Sequence, residues 1–259
     1  MVTTAFDPTR LLELPPDARA RLAQQLAALV TPQRLQRMDE VLAARTARLA
    51  VVFEDVYHPH NASAVLRTCE CLGVQDVHIV EDAKRFRPLR DIARGSARWL
   101  TLRRWGGEHP GDIDACLAHL RGEGFAILAT SPRADAVPLE EVPLDRPLAV
   151  CFGTEETGLS PAAFAAADVK VTIPTPGFTR SLNVSVTAAL ILYHLVNRLR
   201  ATQPAASWQL PASRCDDLRL LWVAGESRSA LALVHGALKE AGLLPPPVPY
   251  FEDRPRARD

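Results

Sequence analysis

Three segments of this 259-residue chain carry side chains whose types and spacing could do chemistry. In HPHNASAVLRT (58–68), Asn61 stands at a helix start and Arg67 lies roughly two turns further along the same helix. Helix N-termini attract anions, so this pair could hold a phosphate or a ribose, although Arg67 could equally be an exposed helical arginine with no role. In AVCFGTEETGLS (149–160), Gly153 ends an apolar run and is followed by Glu155 and Gly158. A glycine at a strand end lets a ligand approach the backbone closely, as nucleotide sites require, and an ordinary strand-to-helix turn would read the same way. In VTIPTPGFTRSLNVSVTAAL (171–190), prolines and a glycine make a stiff loop before Ser181 and Asn183 at the head of an apolar helix. Either residue could cap that helix or offer polar groups to a ligand.

The elements that must position these residues follow from hydrophobic period. Short β-branched runs, LAVVFE (49–54), DVHIVE (76–81), GFAILAT (124–130), PLAVCFG (147–153) and VKVTIP (169–174), alternate with helical windows such as NASAVLRTCECLG (61–73). That alternation predicts an α/β fold with a parallel sheet. Ser160 before Pro161 is an N-cap and first-turn pair. RRWGGEHPGDID (103–114) reads as a loop entering a helix over 113–121, and residues 181–200 as a long, mostly buried helix. Residues 11–30 suggest an amphipathic helical hairpin, and Thr31 before Pro32 caps the next helix. TQPAAS (202–207) reads as a linker, 213–223 and 227–241 as helices, and PPPVPYFEDRPRARD as a mobile end. The expected division is therefore a helical extension over 1–48, a central domain over 49–200 and a second helical extension over 201–259.

Composition bounds the function. Apolar residues make up 47% and charged residues 23%, as in soluble globular chains and unlike disordered or fibrous ones. Thirty basic and thirty acidic residues cancel, so a nucleic-acid partner would need a local basic patch. The five cysteines are odd in number, and MVTTAFDPTR lacks a basic stretch followed by an apolar run, so a reducing, cytoplasmic location is expected. Cys69 and Cys71 form C-x-C without a second pair, which reads as buried thiols rather than zinc ligands, and no metal is expected. The longest apolar stretch, 184–196, falls short of the roughly 20 residues of a bilayer span and includes Ser185, Thr187 and His194, so it reads as a buried helix.

Taken together, in this order and spacing, the three segments resemble the three motifs of the SpoU/TrmH family of tRNA (guanosine-2'-O)-methyltransferases in the SPOUT superfamily. NASAVLRTCECLGV resembles motif 1, VCFGTEETGLS motif 2 and IPTPGFTRSLNVSVTAAL motif 3, and the likeness runs from about residue 33 to residue 200. The TrmH character rests on TPQRLQRMDEVLAART and VFEDVYHPHN. The resemblance implies a parallel sheet whose C-terminal part threads a deep trefoil knot, a rare exception to unknotted topology. It implies S-adenosyl-L-methionine as cofactor, with contacts at Thr130, Gly153, Ile173 and Leu182, and a catalytic group at Arg67 with Asn61, Glu155, Ser181 and Asn183 around it. It further implies tRNA as partner, a D-loop guanosine as target, and a homodimer. A ribosomal RNA 2'-O-methyltransferase of the same family is the alternative enzyme, and a non-catalytic RNA-binding module the alternative class; loss of the arginine or of motif 3 would mark the latter.

A ribose 2'-hydroxyl is a weak acid, so something must take its proton. A guanidinium with a pKa above about 12 is a poor acceptor, so Arg67 is expected to grip a phosphate and orient the hydroxyl, with proton removal open among arginine, phosphate and water. Asn61 and Asn183 would fix ribose or loop geometry. The apolar side chains Val184, Val186, Leu190, Leu192 and Leu195 give the 181–200 helix more than one apolar face, which suits a dimer. Arg34, Arg37, Arg45, Arg48, Arg214, Arg219 and Arg228 are the candidate RNA patch. The competing expectation is that they pair with Asp39, Glu40, Asp216, Asp217 and Glu226.

Overall fold

The computed structural model describes residues 8–55, 58–81, 90–93, 95–106, 111–131, 135–179 and 181–243; the proline-rich end read as mobile lies outside them. The chain divides into two compact units, Met1–Asp39 with Ser213–Asp259, and Glu40–Ala212. A 3-10 turn (Pro8–Glu13) leads to α1 (Pro16–Ala27) and α2 (Pro32–Ala43). The larger unit follows with β1 (Thr46–Glu54), α3 (Pro59–Leu72), β2 (Val74–Val80), α4 (Arg90–Ala93), β3 (Thr101–Trp105), α5 (Ile113–Gly122), β4 (Ala126–Thr130), β5 (Val137–Pro138), β6 (Leu148–Phe152), α6 (Pro161–Ala165), β7 (Val169–Thr172), α7 (Val184–Thr202) and α8 (Ala205–Trp208). Then α9 (Ala212–Ala224) and α10 (Arg228–Glu240) complete the helical unit.

The strands form one seven-stranded sheet in the order β3-β2-β1-β6-β4-β7-β5, and every adjacent pair is parallel. A parallel sheet needs cover on both faces, and the residues of β1 show how it is met. Leu49, Val51 and Phe53 enter one core with Val65, Leu66 and Cys69 of α3 and Ile191, Leu192 and Leu195 of α7. Ala50 and Val52 enter the other with Cys116, Leu117 and Leu120 of α5 and Ala163 of α6. Strand alternation and the helical spacing of three and four residues thus sort the same apolar alphabet onto two faces. In this sheet β1 runs to β2 on one side and pairs β6 on the other, so the carboxyl ends of β1, β6, β4 and β7 surround a topological switch point, where α/β sheets place ligands.

Residues 103–105, read from the sequence as loop, belong to β3, which among the described residues pairs only with β2; an edge strand tolerates the polar Arg103 and Arg104 that make it unreadable as a strand. The supposed linker is structured: α7 runs to Thr202 and α8 seats the buried Trp208, whose carbonyl accepts from the Thr46 hydroxyl at 2.9 Å. Among the described residues no helix is long and apolar enough to cross a membrane.

The arginines separate into two groups. Arg45 is wholly buried, donating to the Val74 carbonyl and Glu70 at 3.4 Å each, and desolvation lowers its pKa from the ordinary arginine value. It cannot meet RNA, and Arg48 is half-buried with its guanidinium on the Leu144 carbonyl at 2.7 Å. In the helical unit, where α10 packs on α1, Arg34 binds Glu226 at 3.0 Å and Arg219 binds Asp39 at 2.6 Å. The expected pairing is therefore realised at Glu226 and Asp39. Arg228 is exposed and has no side-chain partner among the described residues.

Helix α3 ends at Gly73, whose φ of 85° is left-handed and where a Cβ would stand 2.5 Å from the Ala44 carbonyl oxygen. Gly73→Ala is expected to destabilise the fold by about 2 kcal/mol or more, since left-handed strain alone costs roughly 1–2 kcal/mol and the clash is with backbone. Urea unfolding should show a lower midpoint at unchanged slope.

Candidate functional site

The site is assembled from the carboxyl end of the sheet outward. Glu54, the last residue of β1, is buried, and its Oε2 accepts from the Ser160 backbone N–H at 2.8 Å. The Ser160 hydroxyl oxygen in turn accepts from the Ala163 N–H at 3.1 Å, capping α6 as its place before Pro161 predicts. Between β6 and this cap the chain makes a tight loop in which Thr154 and Gly158 exchange backbone hydrogen bonds of 3.1 Å. Gly153 is required there because a Cβ would fall 2.2 Å from the Gly158 carbonyl carbon.

The loop holds Glu155 where the other two segments arrive. Its Oε1 accepts from the Asn61 Nδ2 and the Asn183 Nδ2, each at 2.7 Å, and Asn183 Nδ2 also reaches the Asn61 Oδ1 at 3.2 Å. Asn61 is the third residue of α3. Asn183 Oδ1 accepts from the Ser185 N–H at 2.8 Å, so Asn183 is the N-cap of α7. Ser181 does not cap: α7 begins at Val184, which leaves Ser181 exposed and beyond reach of the first turn. One carboxylate oxygen thus gathers the three segments.

Two cavities flank that carboxylate. The first, about 620 Å³, is lined by Thr130, Gly153, Ile173 and Leu182, together with Glu155, Ser181 and Asn183. Its wall is apolar at Phe152, Val171 and Ile191 and polar at Thr130, whose hydroxyl donates to the Cys151 carbonyl at 2.9 Å. The second, about 430 Å³, is lined by Glu54, Asp55, His58, Asn61 and Ser160 and shares residues 154–158 with the first. All of the predicted cofactor residues therefore meet in one cavity, and Asn61 in its neighbour. Arg67 lines neither: it is exposed on α3 with no side-chain partner among the described residues.

His58 was not singled out in the sequence. It occupies the N-cap position of α3, yet its side chain makes no capping bond and its Nε2 instead lies 3.7 Å from the Glu155 Oε2. The readable signal was a titratable residue directly before a helix-starting proline; its carboxylate partner is too distant in the chain to be inferred.

Burial keeps three of the thiols, Cys69, Cys116 and Cys151, in the protonated form. Burial, aided by Asp112 and Glu54, pushes Cys116 up to about 12, and burial likewise raises Cys151 behind the first cavity. Cys69 is buried and pushed up to about 12, while Cys71 is exposed, so only one thiol of the C-x-C pair is buried as expected. Among the described residues no group of three or more His, Cys, Asp or Glu side chains is arranged to hold a metal ion.

Comparison with known proteins adds to this geometry. The SpoU rRNA Methylase family matches residues 48–193. The tRNA (guanosine(18)-2'-O)-methyltransferase of Borreliella burgdorferi is 37% identical over 175 residues, covering 68% of this chain and 78% of that one. The protein of the same name from Escherichia coli (strain K12) is 42% identical over 164 residues, covering 63% and 69% respectively. Among solved structures, a TrmH/SpoU tRNA modifying enzyme of A. aeolicus superposes with a TM-score of 0.66 at 30% identity, covering 74% of this chain and 95% of that one.

Asn183 has two separable jobs, capping α7 and donating to Glu155. Asn183→Ala is expected to cost about 1 kcal/mol of stability through the lost cap, and Asn183→Ser to recover most of it. Thermal unfolding of the two variants beside wild type checks this; equal losses would deny Asn183 the cap.

Proposed function

The chain belongs to the SpoU rRNA methylase family, and from that premise we propose that it methylates the ribose 2'-hydroxyl of a D-loop guanosine in tRNA, with S-adenosyl-L-methionine as methyl donor. The observation that carries the reading is the meeting of Asn61, Glu155 and Asn183 beside the cavity of Thr130, Gly153, Ile173 and Leu182. The choice of tRNA rests on relatives named as tRNA (guanosine(18)-2'-O)-methyltransferases at 37% and 42% identity.

The first cavity fits the cofactor. At about 620 Å³ it lies within the range of small-molecule sites. Apolar Phe152, Val171 and Ile191 suit an adenine ring, and the Thr130 hydroxyl and the backbone around Gly153 suit its polar parts. When bound, the cofactor supplies an electrophilic methyl group. The protein supplies position: Glu155 holds the two asparagines, Asn183 fixes the start of α7, and Ser181 stands on the rim of the cavity with its hydroxyl unengaged among the described residues. Arg67, exposed and unpaired among the described residues, is the cation assigned to the RNA, gripping a phosphate and orienting the ribose.

The remaining assignments follow the same premise. Residues 49–200 carry cofactor and site, and 1–48 and 201–259 serve the RNA, with exposed Arg228 available. Helix α7 packs on α3 although β7 lies two strands beyond β6's pairing with β1, and this return of the chain supports the family's trefoil knot. A homodimer is supported by Val186, Leu190 and Tyr193 of α7, which are 45–62% exposed at helical spacing, whereas Leu192 and Leu195 are spent on the core. Light scattering should give the mass of two chains; an active monomer would remove the dimer. With tRNA as substrate, the cytoplasm is the place of action.

The protein incubated with tRNA transcript and isotopically labelled cofactor should place label in a 2'-O-methylguanosine of the D loop, read by mass spectrometry of nuclease digests. Label only in ribosomal RNA, or on a base, would contradict the reading. Arg67→Ala is expected to lower turnover at least about 100-fold with cofactor affinity within about twofold of wild type. Retention of more than about a tenth of turnover, under roughly 1.4 kcal/mol of barrier, would remove Arg67 from the mechanism.

A further inference from the structure

We propose that the second cavity receives the base of the target nucleotide and that Glu54 reads it, its Oε1 accepting a hydrogen bond from the guanine 2-amino group. The inference rests on the 2'-O-methyl transfer reading above and adds to it the residue that selects guanine.

A buried carboxylate with one oxygen unengaged is the ground for it. Glu54, at the end of β1, is 5% exposed and lines the second cavity. Its Oε2 accepts from the Ser160 N–H at 2.8 Å, whereas its Oε1 has no hydrogen-bond partner among the described residues. Taking a carboxylate out of water is costly unless its oxygens find donors. Holding the loop through Ser160 needs one acceptor only, and a neutral side chain would supply it at less cost. Glu155 is not available for the same task, because its Oε1 already holds the Asn61 and Asn183 amides.

Charge decides which donor enters. Asp55 and Glu156 line the same cavity, so its wall repels phosphate and presents acceptors. Guanine sets two neighbouring donors, N1–H and the 2-amino group, on its Watson–Crick edge. Adenine and cytosine place a ring-nitrogen lone pair beside their amino group, and uracil flanks its single N–H with carbonyls, so each would turn a lone pair toward a carboxylate. An acceptor-lined cavity therefore favours guanine over the other three bases.

Connectivity leads to the same place. The base is joined to the ribose carbon next to the one that bears the reacting hydroxyl, so it must lie close beside that hydroxyl. The two cavities share residues 154–158. With the cofactor in the first cavity and the ribose at the shared wall, the base extends into the second, whose volume of about 430 Å³ lies within the range of small-molecule sites. A base lodged there has left its stack, and its Watson–Crick edge is open to be read.

Methylation by the full chain is compared on ligated tRNA transcripts that carry guanosine or inosine at the target position. Inosine lacks only the 2-amino group, and wild-type kcat/KM on it should fall at least about tenfold, the size of a lost hydrogen bond to a charged acceptor. Glu54→Gln keeps an oxygen for the Ser160 N–H but presents an amide donor in place of the second oxygen. It should lose at least about tenfold on guanosine and less than about threefold on inosine, with calorimetric cofactor affinity within about twofold of wild type. Equal loss on the two transcripts would show that Glu54 only holds the loop. Wild type that treats them alike within about threefold would take the 2-amino group away from Glu54. Either result overturns the proposal, and the second needs no variant to fold. Wild type that methylates the 2'-hydroxyl of neither transcript defeats the methyl-transfer reading itself, and this inference falls with it.

Discussion

One carboxylate oxygen carries the geometry of the site. Glu155 Oε1 accepts from amides 94 residues upstream and 28 residues downstream, so three segments far apart in the chain are fixed at a single point. The second oxygen remains for His58. A parallel sheet makes this possible, because it brings the ends of β1, β4, β6 and β7 to one edge while leaving their following loops free to differ. Glu54 repeats the device one layer deeper, joining the end of β1 to Ser160, 106 residues away. The loop 153–160 is therefore held from below by a buried carboxylate and offers another above.

These links are polar and partly exposed, so their individual contributions to stability are modest, of order 0.5–1.5 kcal/mol each. Fold stability comes from the two cores on either side of the sheet, where Phe53 and Phe152 sit with ring centres 6.4 Å apart and α3 and α7 close one face. The separation suits a site that must admit a large ligand. The sheet and its helices form a rigid base, and the residues that would touch ligand are tied to one another by bonds that can be remade. Gly153 marks the boundary between the two regimes: it ends a fully buried strand and lets the backbone cross itself at a distance no side chain would allow.

Much of this was legible in the chain. Continuous apolar runs marked β1, β4 and β6, and the Ser160-Pro161 pair marked the start of α6. Thr130, Gly153, Ile173 and Leu182 were reached through resemblance rather than from spacing, and they do line one cavity. What was hidden is physical in origin. β3 is an edge strand with two arginines in five residues, so no period betrays it. Arg45 reads as a surface charge because burial with Glu70 and the Val74 carbonyl depends on partners 25 and 29 residues away. The cap of α7 fell to Asn183 rather than Ser181 because the stiff loop continues two residues further than the apolar pattern. His58 acquires meaning only from Glu155, which no local pattern could pair with it.

Asn61, Glu155 and Asn183 are joined in one hydrogen-bonded unit. A double-mutant cycle on kcat/KM for tRNA methylation, using Asn61→Ala and Asn183→Ala singly and together, in wild type and in Glu155→Ala, measures it directly. The two asparagine losses are expected to couple by at least about 0.5–1 kcal/mol with Glu155 present and to become additive without it. Additivity within about 0.3 kcal/mol in the presence of Glu155 would show that the carboxylate does not join them.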